Sequence, residues 1–547
     1  MLELEMYTYG VGHASEGISL LVRMGPHRIL LDCGLTDTEP LIANRNQPPA
    51  DLVLCTHAHP DHARGLLPLH QAFPKLPIYA SEVTAQLLPL NWPEIELPQN
   101  KYFCQALPLR SPVEFRPGLG AQLYPAGHLP GASAILLSYA GRERNYSVLY
   151  TGDFLLSNSR LVEGLHLEEL RGLGPDVLIV EGSYGTVRMA HRRSQENQLA
   201  ERINGAIAQR RSVLLPVPVL GLGQEMLMLL RSHHHFTGRD IDIWVDESVA
   251  VGCDAYLELL PQLPSSVQNF AKHQPLFWDE RVRPRVRRLE REQRGLVGRS
   301  PCIVITKETA SVAEFCTEDT GPWLVLFPEH PGYQNPLDQV DVSASVVAES
   351  YLLAEHCDGP GTTQLIHNLR PQHVIFVHGS PAYLADLTNL DELRNRYQLH
   401  LPAAGMAVEL PIGETFMQPE VTEAHYEGEL VEQESVVTIS LPNAISLSSR
   451  WQNFADTGLV VARWQGEELV LRGLSQRELL SQGSERDVPL DVDCCGRCVH
   501  YRGQRCWNST SPLFGFKVTP DGYCPVFEEV NLPISSRQNP NSQENEQ

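Results

Sequence analysis

At 547 residues the chain is too long for one hydrophobic core and implies three or more domains. Its 42% hydrophobic and 20% charged residues are those of ordinary globular protein, and no stretch reaches the ~18 uncharged apolar residues of a membrane span. A net charge of −23 excludes broad electrostatic binding of nucleic acid by the surface as a whole. Acidic Glu3 and Glu5 stand where a signal peptide carries basic residues, so the expectation is a cytoplasmic protein with no membrane association.

Apolar runs open the chain in regular order. "GISLLVR", "HRILLDCG", "DLVLCT", "AQLYPAG", "SAILLSYAG", "YSVLYTGD" and "DVLIVEG" read as strands, several apolar on both faces. They predict an α/β layered domain. "SQENQLAERINGAIAQR" predicts a helix leading into a second α/β region with strands "SVLLPVPV", "DIDIWVDE", "PCIVITK" and "WLVLFP". Near residue 350 metal-capable residues return in "AEHCDG" and "HVIFVHGS". The composition predicts a small β-rich module over 416–489, a cysteine module over 490–530 and a polar, disordered tail over 531–547. Arginines concentrate in "ERVRPRVRRLEREQRG", Glu280 to Gly295. This segment is expected either as a solvated helix face or as a source of phosphate contacts.

The stretch "CTHAHPDHARG" places His57, His59, Asp61 and His62 directly after a strand. Burying three imidazoles beside a carboxylate without partners is costly, and a divalent metal satisfies all four at once. Three later strand ends carry further candidates: His128 in "AGHLPG", Asp153 in "YTGDF" and His378 in "FVHGS". Taken singly, a Gly-His or Gly-Asp after a strand is more often a turn residue. Together the seven suit two metals bridged by a carboxylate.

This order of motifs resembles the metallo-β-lactamase fold. "EGSYG" at Glu181–Gly185, "AEHCDG" around His356 and "VHG" at His378 resemble its β-CASP branch, the RNA-processing nucleases that include ribonuclease J and the endonuclease of mRNA 3′-end processing. The resemblance implies a four-layer αββα core over 1–204 and 351–415, with a β-CASP domain inserted over 205–350. It also implies a two-zinc hydrolase acting on RNA. His57, His59 and His128 would hold one zinc, Asp61, His62 and His378 the other, and Asp153 would bridge them. His356 would be the general acid, Glu181 would orient it, and Asp61 counts with them as catalytic. Asp32 in "LLDCG" resembles the family's carboxylate behind the ligands, and reads equally as a turn residue.

The chain departs from the family on the substrate side. Leu222 in "GLGQE" stands where a phosphate-contacting arginine belongs, "KETASV" replaces a glycine-rich segment, and Gly359 replaces a tyrosine. Two rival readings follow: a binding or scaffold protein whose nuclease activity has faded, and a small-molecule hydrolase of the same fold. Toward the C-terminus, Cys495, Cys498, Cys506 and Cys524 carry spacing that suits one further zinc or a [4Fe–4S] cluster. The same modules are candidates for holding protein partners, and a homo-oligomer is also open.

Overall fold

The computed structural model describes residues 3–13, 16–95, 103–317, 319–329 and 345–413 in detail. Beyond these it describes strand segments at 429–433, 436–440, 460–465 and 468–473, and residues 498–502 and 505–507. The chain divides into two compact units, Met1–Val421 and Thr422–Gln547.

The apolar runs of the first unit become strands in three sheets. In chain order they are β1 (Leu4–Val11), β2 (Ile18–Met24), β3 (His27–Leu31), β4 (Leu52–Leu54), β5 (Ile78–Ser81), β6 (Cys104–Leu107), β7 (Val113–Arg116), β8 (Leu119–Pro125), β9 (Ser133–Ala140), β10 (Asn145–Tyr150) and β11 (Val177–Glu181). They continue with β12 (Ser212–Val217), β13 (Asp242–Asp246), β14 (Arg285–Leu289), β15 (Ile303–Lys307), β16 (Trp323–Pro328), β17 (Val346–Tyr351), β18 (His373–Val377), β19 (Gln398–His400) and β20 (Ala407–Glu409).

Two seven-stranded sheets, ordered β20-β1-β2-β3-β4-β5-β6 and β19-β18-β11-β10-β9-β8-β7, form the core. Alternation along β1, β2, β8 and β9 brings Leu4, Met6, Leu20 and Val22 of the first sheet into one buried cluster with Leu119, Ala121, Leu123, Ile135 and Leu137 of the second. Helices cover the outer faces, as the apolar second faces of these strands require. This is the α/β layering expected for a metallo-β-lactamase fold.

The third sheet, β14-β13-β15-β12-β16-β17, is wholly parallel. Trp323, Val304, Val325 and Phe315 fill one of its faces. The arginine-rich segment corrects one sequence expectation: Arg285–Leu289 is the edge strand β14 of this sheet, not a helix face.

Strand direction positions the site. β10, β11 and β18 run parallel, and β8 reaches the same direction through antiparallel β9. The C-terminal ends of these four strands therefore lie along one edge, where loops on a rigid sheet hold functional groups.

In the second unit, Glu429–Gln433 pairs with Val436–Ser440 and Val460–Gln465 with Glu468–Gly473, each antiparallel. Of the cysteine quartet, Cys498 is buried, while Cys495, Cys524 and the Cys506 side chain lie outside the described residues, as does the tail over 531–547. No helix among the described residues is long and apolar enough to cross a membrane.

Phe376 is fully buried in β18 between the sheet and its covering helices. Phe376→Ala should lower stability by about 3–5 kcal/mol, the usual cost of deleting a core aromatic ring. Denaturant unfolding of both proteins measures it.

Candidate metal centre

All seven ligand candidates meet at the shared edge. His57 to His62 follow β4, His128 follows β8, Asp153 follows β10 and His378 follows β18. Asp153 is 2% exposed and faces imidazoles on several sides. Its carboxylate oxygens lie 3.5 Å from His57 Nε2, 3.2 Å from His62 Nε2, 3.7 Å from His128 Nε2 and 3.7 Å from His378 Nδ1. His57, His59, His128 and Asp153 form one metal-sized group, and Asp61, His62 and His378 form a second beside it. Asp61 Oδ2 is 3.0 Å from His378 Nε2.

The hydrogen bonds behind these groups decide which atoms face inward. His59 Nε2 donates to the Leu220 carbonyl at 3.3 Å, and His128 Nδ1 donates to the Glu355 carbonyl at 2.8 Å. A carbonyl only accepts, so both protons are fixed on the outer nitrogens. The inner nitrogens, His59 Nδ1 and His128 Nε2, then turn lone pairs toward each other at 2.9 Å. Two facing lone pairs need a cation. His57 Nε2, His62 Nε2 and Asp153 Oδ1 are likewise buried without a hydrogen-bond partner. Such unpartnered buried polar atoms are rare in folded protein, and a metal ion satisfies all of them. The donor set, imidazole and carboxylate, fits zinc.

Charge follows the same division. Burial, with the neighbouring imidazoles adding, holds His57 and His128 well below the ordinary histidine range. They are thus neutral, the form that binds metal. Burial also disfavours the charged forms of His62 and His378, but Asp153 outweighs it, with Asp32 for His62 and Asp61 for His378, and both are raised.

Asp32 is the buried post of this arrangement. It accepts from Thr56 N–H at 2.7 Å, from the Thr56 hydroxyl at 2.8 Å, from His62 Nδ1 at 2.8 Å and from the Tyr150 hydroxyl at 2.8 Å. It does so from a left-handed backbone at φ 57°, uncommon for a residue with a side chain. Gly34 lies against the metal loop so closely that a Cβ there would sit 1.5 Å from the Asp61 carbonyl oxygen. Thr56, Tyr150 and Ser183 support the ligands and escaped the sequence reading, although Thr56 directly precedes His57 and Ser183 lies within the "EGSYG" stretch.

Beside the ligands, His356 Nδ1 lies 3.1 Å from Glu181 Oε1 and 3.8 Å from Asp153 Oδ2. Glu181 is buried and also accepts from Phe154 N–H at 3.0 Å and from the Ser183 hydroxyl. Burial disfavours the charged imidazole of His356, but Glu181 and Asp153 outweigh it and raise the group to about 10. Its Nε2 makes no hydrogen bond among the described residues.

The substrate side differs. Leu222 is 1% exposed and packs into the core, so this position offers the site no polar side chain. The Gln224 and Glu225 that follow it are structural: Gln224 donates to the Val219 carbonyl at 3.0 Å, and Glu225 accepts from the Ser159 hydroxyl at 2.7 Å, Arg160 N–H at 2.9 Å and Leu161 N–H at 2.8 Å. The arginine-rich segment is engaged elsewhere. Arg285 pairs with Asp240 and Asp242, Arg288 with Asp254, and Arg294 with Asp246 and Glu314. These arginines tie β14 and its neighbours together and do not serve as free phosphate contacts.

Fold and site together define a protein of the metallo-β-lactamase type with a His/Asp cluster able to hold metal ions. A family model for the Beta-lactamase superfamily domain matches residues 27–214. The chain is 52% identical to Uncharacterized protein sll0514 of Synechocystis sp., over 95% of this chain and 96% of that one. It is 26% identical to the RNase J-like protein of Methanocaldococcus jannaschii, over 51% of this chain and 65% of that one. It is 25% identical to Endoribonuclease YSH1 of Mycosarcoma maydis, over 68% of this chain and 45% of that one. The matches thus span under two thirds of either ribonuclease-named relative. Residues 27–214 place the chain in the metallo-β-lactamase superfamily, and its ribonuclease-named relatives are consistent with the β-CASP branch.

Asp32→Ala should weaken metal binding by about 10–100-fold, the usual loss when the partner behind a ligand is removed. Tyr150→Phe removes one of the four bonds to Asp32 and should cost less. Competition with a chromophoric chelator measures both.

Proposed function

We propose that the chain is a two-zinc phosphodiester hydrolase that cleaves RNA. The observation that carries this reading is the Glu181–His356 pair, held 3.1 Å apart beside Asp153 yet outside the seven ligands. A small-molecule hydrolase of the fold needs the metals but has less need of a separate proton donor for a poor alkoxide leaving group. The relatives' names, RNase J-like and endoribonuclease, point to the same substrate class.

In this reading His57, His59 and His128 hold one zinc, Asp61, His62 and His378 the other, and Asp153 is shared. When bound, the two ions supply an activated water and neutralise charge developing at phosphorus. Everything else falls to the chain. Asp32, Thr56 and the Leu220 and Glu355 carbonyls hold the imidazoles in their ligating tautomers. Glu181 anchors His356 through Nδ1, which leaves Nε2 to give its proton to the departing oxygen. Residues 1–204 and 351–415 are the catalytic core and 205–350 the inserted domain that closes over substrate. The C-terminal cysteines hold one more zinc or an iron–sulfur cluster, in a cytoplasmic setting.

A second reading, an RNA-binding protein with weakened cleavage, is favoured by one observation. Leu222 is buried and Arg285, Arg288 and Arg294 are drawn into ion pairs, so substrate phosphates meet fewer free cations there.

Two measurements separate these readings. His59→Ala with Asp153→Ala should remove most of the two zinc equivalents from the core, read by elemental analysis. Unchanged zinc would end the two-metal assignment. His356→Ala should keep its zinc but cleave labelled single-stranded RNA about 10²–10⁴-fold more slowly, the usual share of a general acid. A substrate with a better leaving group should recover much of that loss. Two bound zincs with no cleavage by the parent would instead favour the weakened reading.

A further inference from the structure

His233, His234 and His235 take no part in the centre described above. They follow the helix Leu222–Ser232 directly, with His233 at its C-terminal cap. His233 is 8% exposed, His235 is partly buried and His234 is exposed. Their ring centroids lie 4.3, 4.9 and 4.2 Å apart, so the three imidazoles cluster with their planes tilted to one another. One nitrogen from each falls within 4.8 Å of the other two.

A hydrogen bond orients the most buried of them. His233 Nε2 donates to Asn197 Oδ1 at 3.2 Å, on the helix Arg192–Ala208. This places the proton on Nε2 and makes Nδ1 the nitrogen able to bind a metal. Nδ1 accepts from the His235 backbone N–H at 3.3 Å, a long bond that a bound cation would replace. The cation that acts on His233, Arg160, is neutralised by both carboxylate oxygens of Glu196, at 3.1 and 2.6 Å.

We propose that His233, His234 and His235 form an additional metal site, separate from the seven-ligand centre, for a divalent cation that prefers imidazole. Three imidazole nitrogens with no carboxylate among them suit zinc, nickel or copper(II), and do not suit magnesium or calcium. Asn197 acts as its positioning residue. Three ligands leave coordination positions to water, so the site exchanges its metal readily.

The site's location gives it a consequence. The helix that ends in the histidines is the one whose Glu225 holds Ser159, Arg160 and Leu161, and Arg160 Nη1 donates to the Ser232 hydroxyl at 2.8 Å. A cation at the triad would stiffen this corner, where the third sheet's first helices meet the loop after β10.

The test uses the full-length, zinc-loaded protein without a polyhistidine tag, titrated calorimetrically with nickel(II). The parent should take up one equivalent more than the His234→Ala/His235→Ala variant, or bind it at least about 10-fold more tightly. Asn197→Ala should keep the stoichiometry and weaken the same equivalent about 10-fold. Nickel should raise the parent's melting temperature and leave that of the double variant unchanged. Magnesium should do neither. His234 is exposed, so His234→Ala alone provides a folded variant if the double one is unstable, and it too should weaken the equivalent. Equal uptake with equal affinity by parent and both variants would overturn the proposal.

Discussion

A carboxylate buried among imidazoles organises this protein. Asp153 is 2% exposed, and His57, His62, His128 and His378 all approach its two oxygens within 3.7 Å. Without a cation, the fold would leave Asp153 Oδ1 and two histidine nitrogens buried and unpaired, and would press the lone pairs of His59 and His128 together. Such a cluster is costly to bury. Metal binding and the stability of this edge of the sheets are therefore one question.

The cost is contained because the outer side of the cluster is fully tied. Asp32 takes four hydrogen bonds, and the Leu220 and Glu355 carbonyls, Thr56 and Ser183 hold the other imidazoles. One of these anchors, Leu220, belongs to the segment that carries the third sheet, and the other, Glu355, follows that sheet's last strand β17. The proton on His59 is thus set by a residue of that segment and the proton on His128 by one just past it. Glu225 closes the same junction from the other side through the loop at Ser159–Leu161.

On the substrate side the balance of charge is unlike that of the metal groups. Arginines that could meet phosphates are paired with Asp240, Asp242, Asp246 and Asp254 inside the inserted domain. Attraction of a polyanion at long range is therefore weak here. This agrees with a net charge of −23.

The sequence by itself determined the strands and the chemistry at their ends. Apolar runs of strand length, each closed by glycine and one polar residue, are local signals, and "CTHAHPDHARG" carries four ligand candidates in six positions. The Glu181–His356 pair was also legible, through motif order. The tertiary structure alone decided the rest, because the partners are far apart along the chain. Asp61 meets His378 across 317 residues, and Asp32 meets Tyr150 across 118. Asp32 could not be told from a turn residue until its four donors were in place. The arginine-rich segment reads equally as a solvated helix face or as a source of phosphate contacts because its acidic partners lie up to about fifty positions away, from Asp240 to Glu314, and only parallel pairing of β13 and β14 brings Asp242 to Arg285. Local order fixes which groups a strand end presents; the packing of distant strands fixes which charges those groups meet.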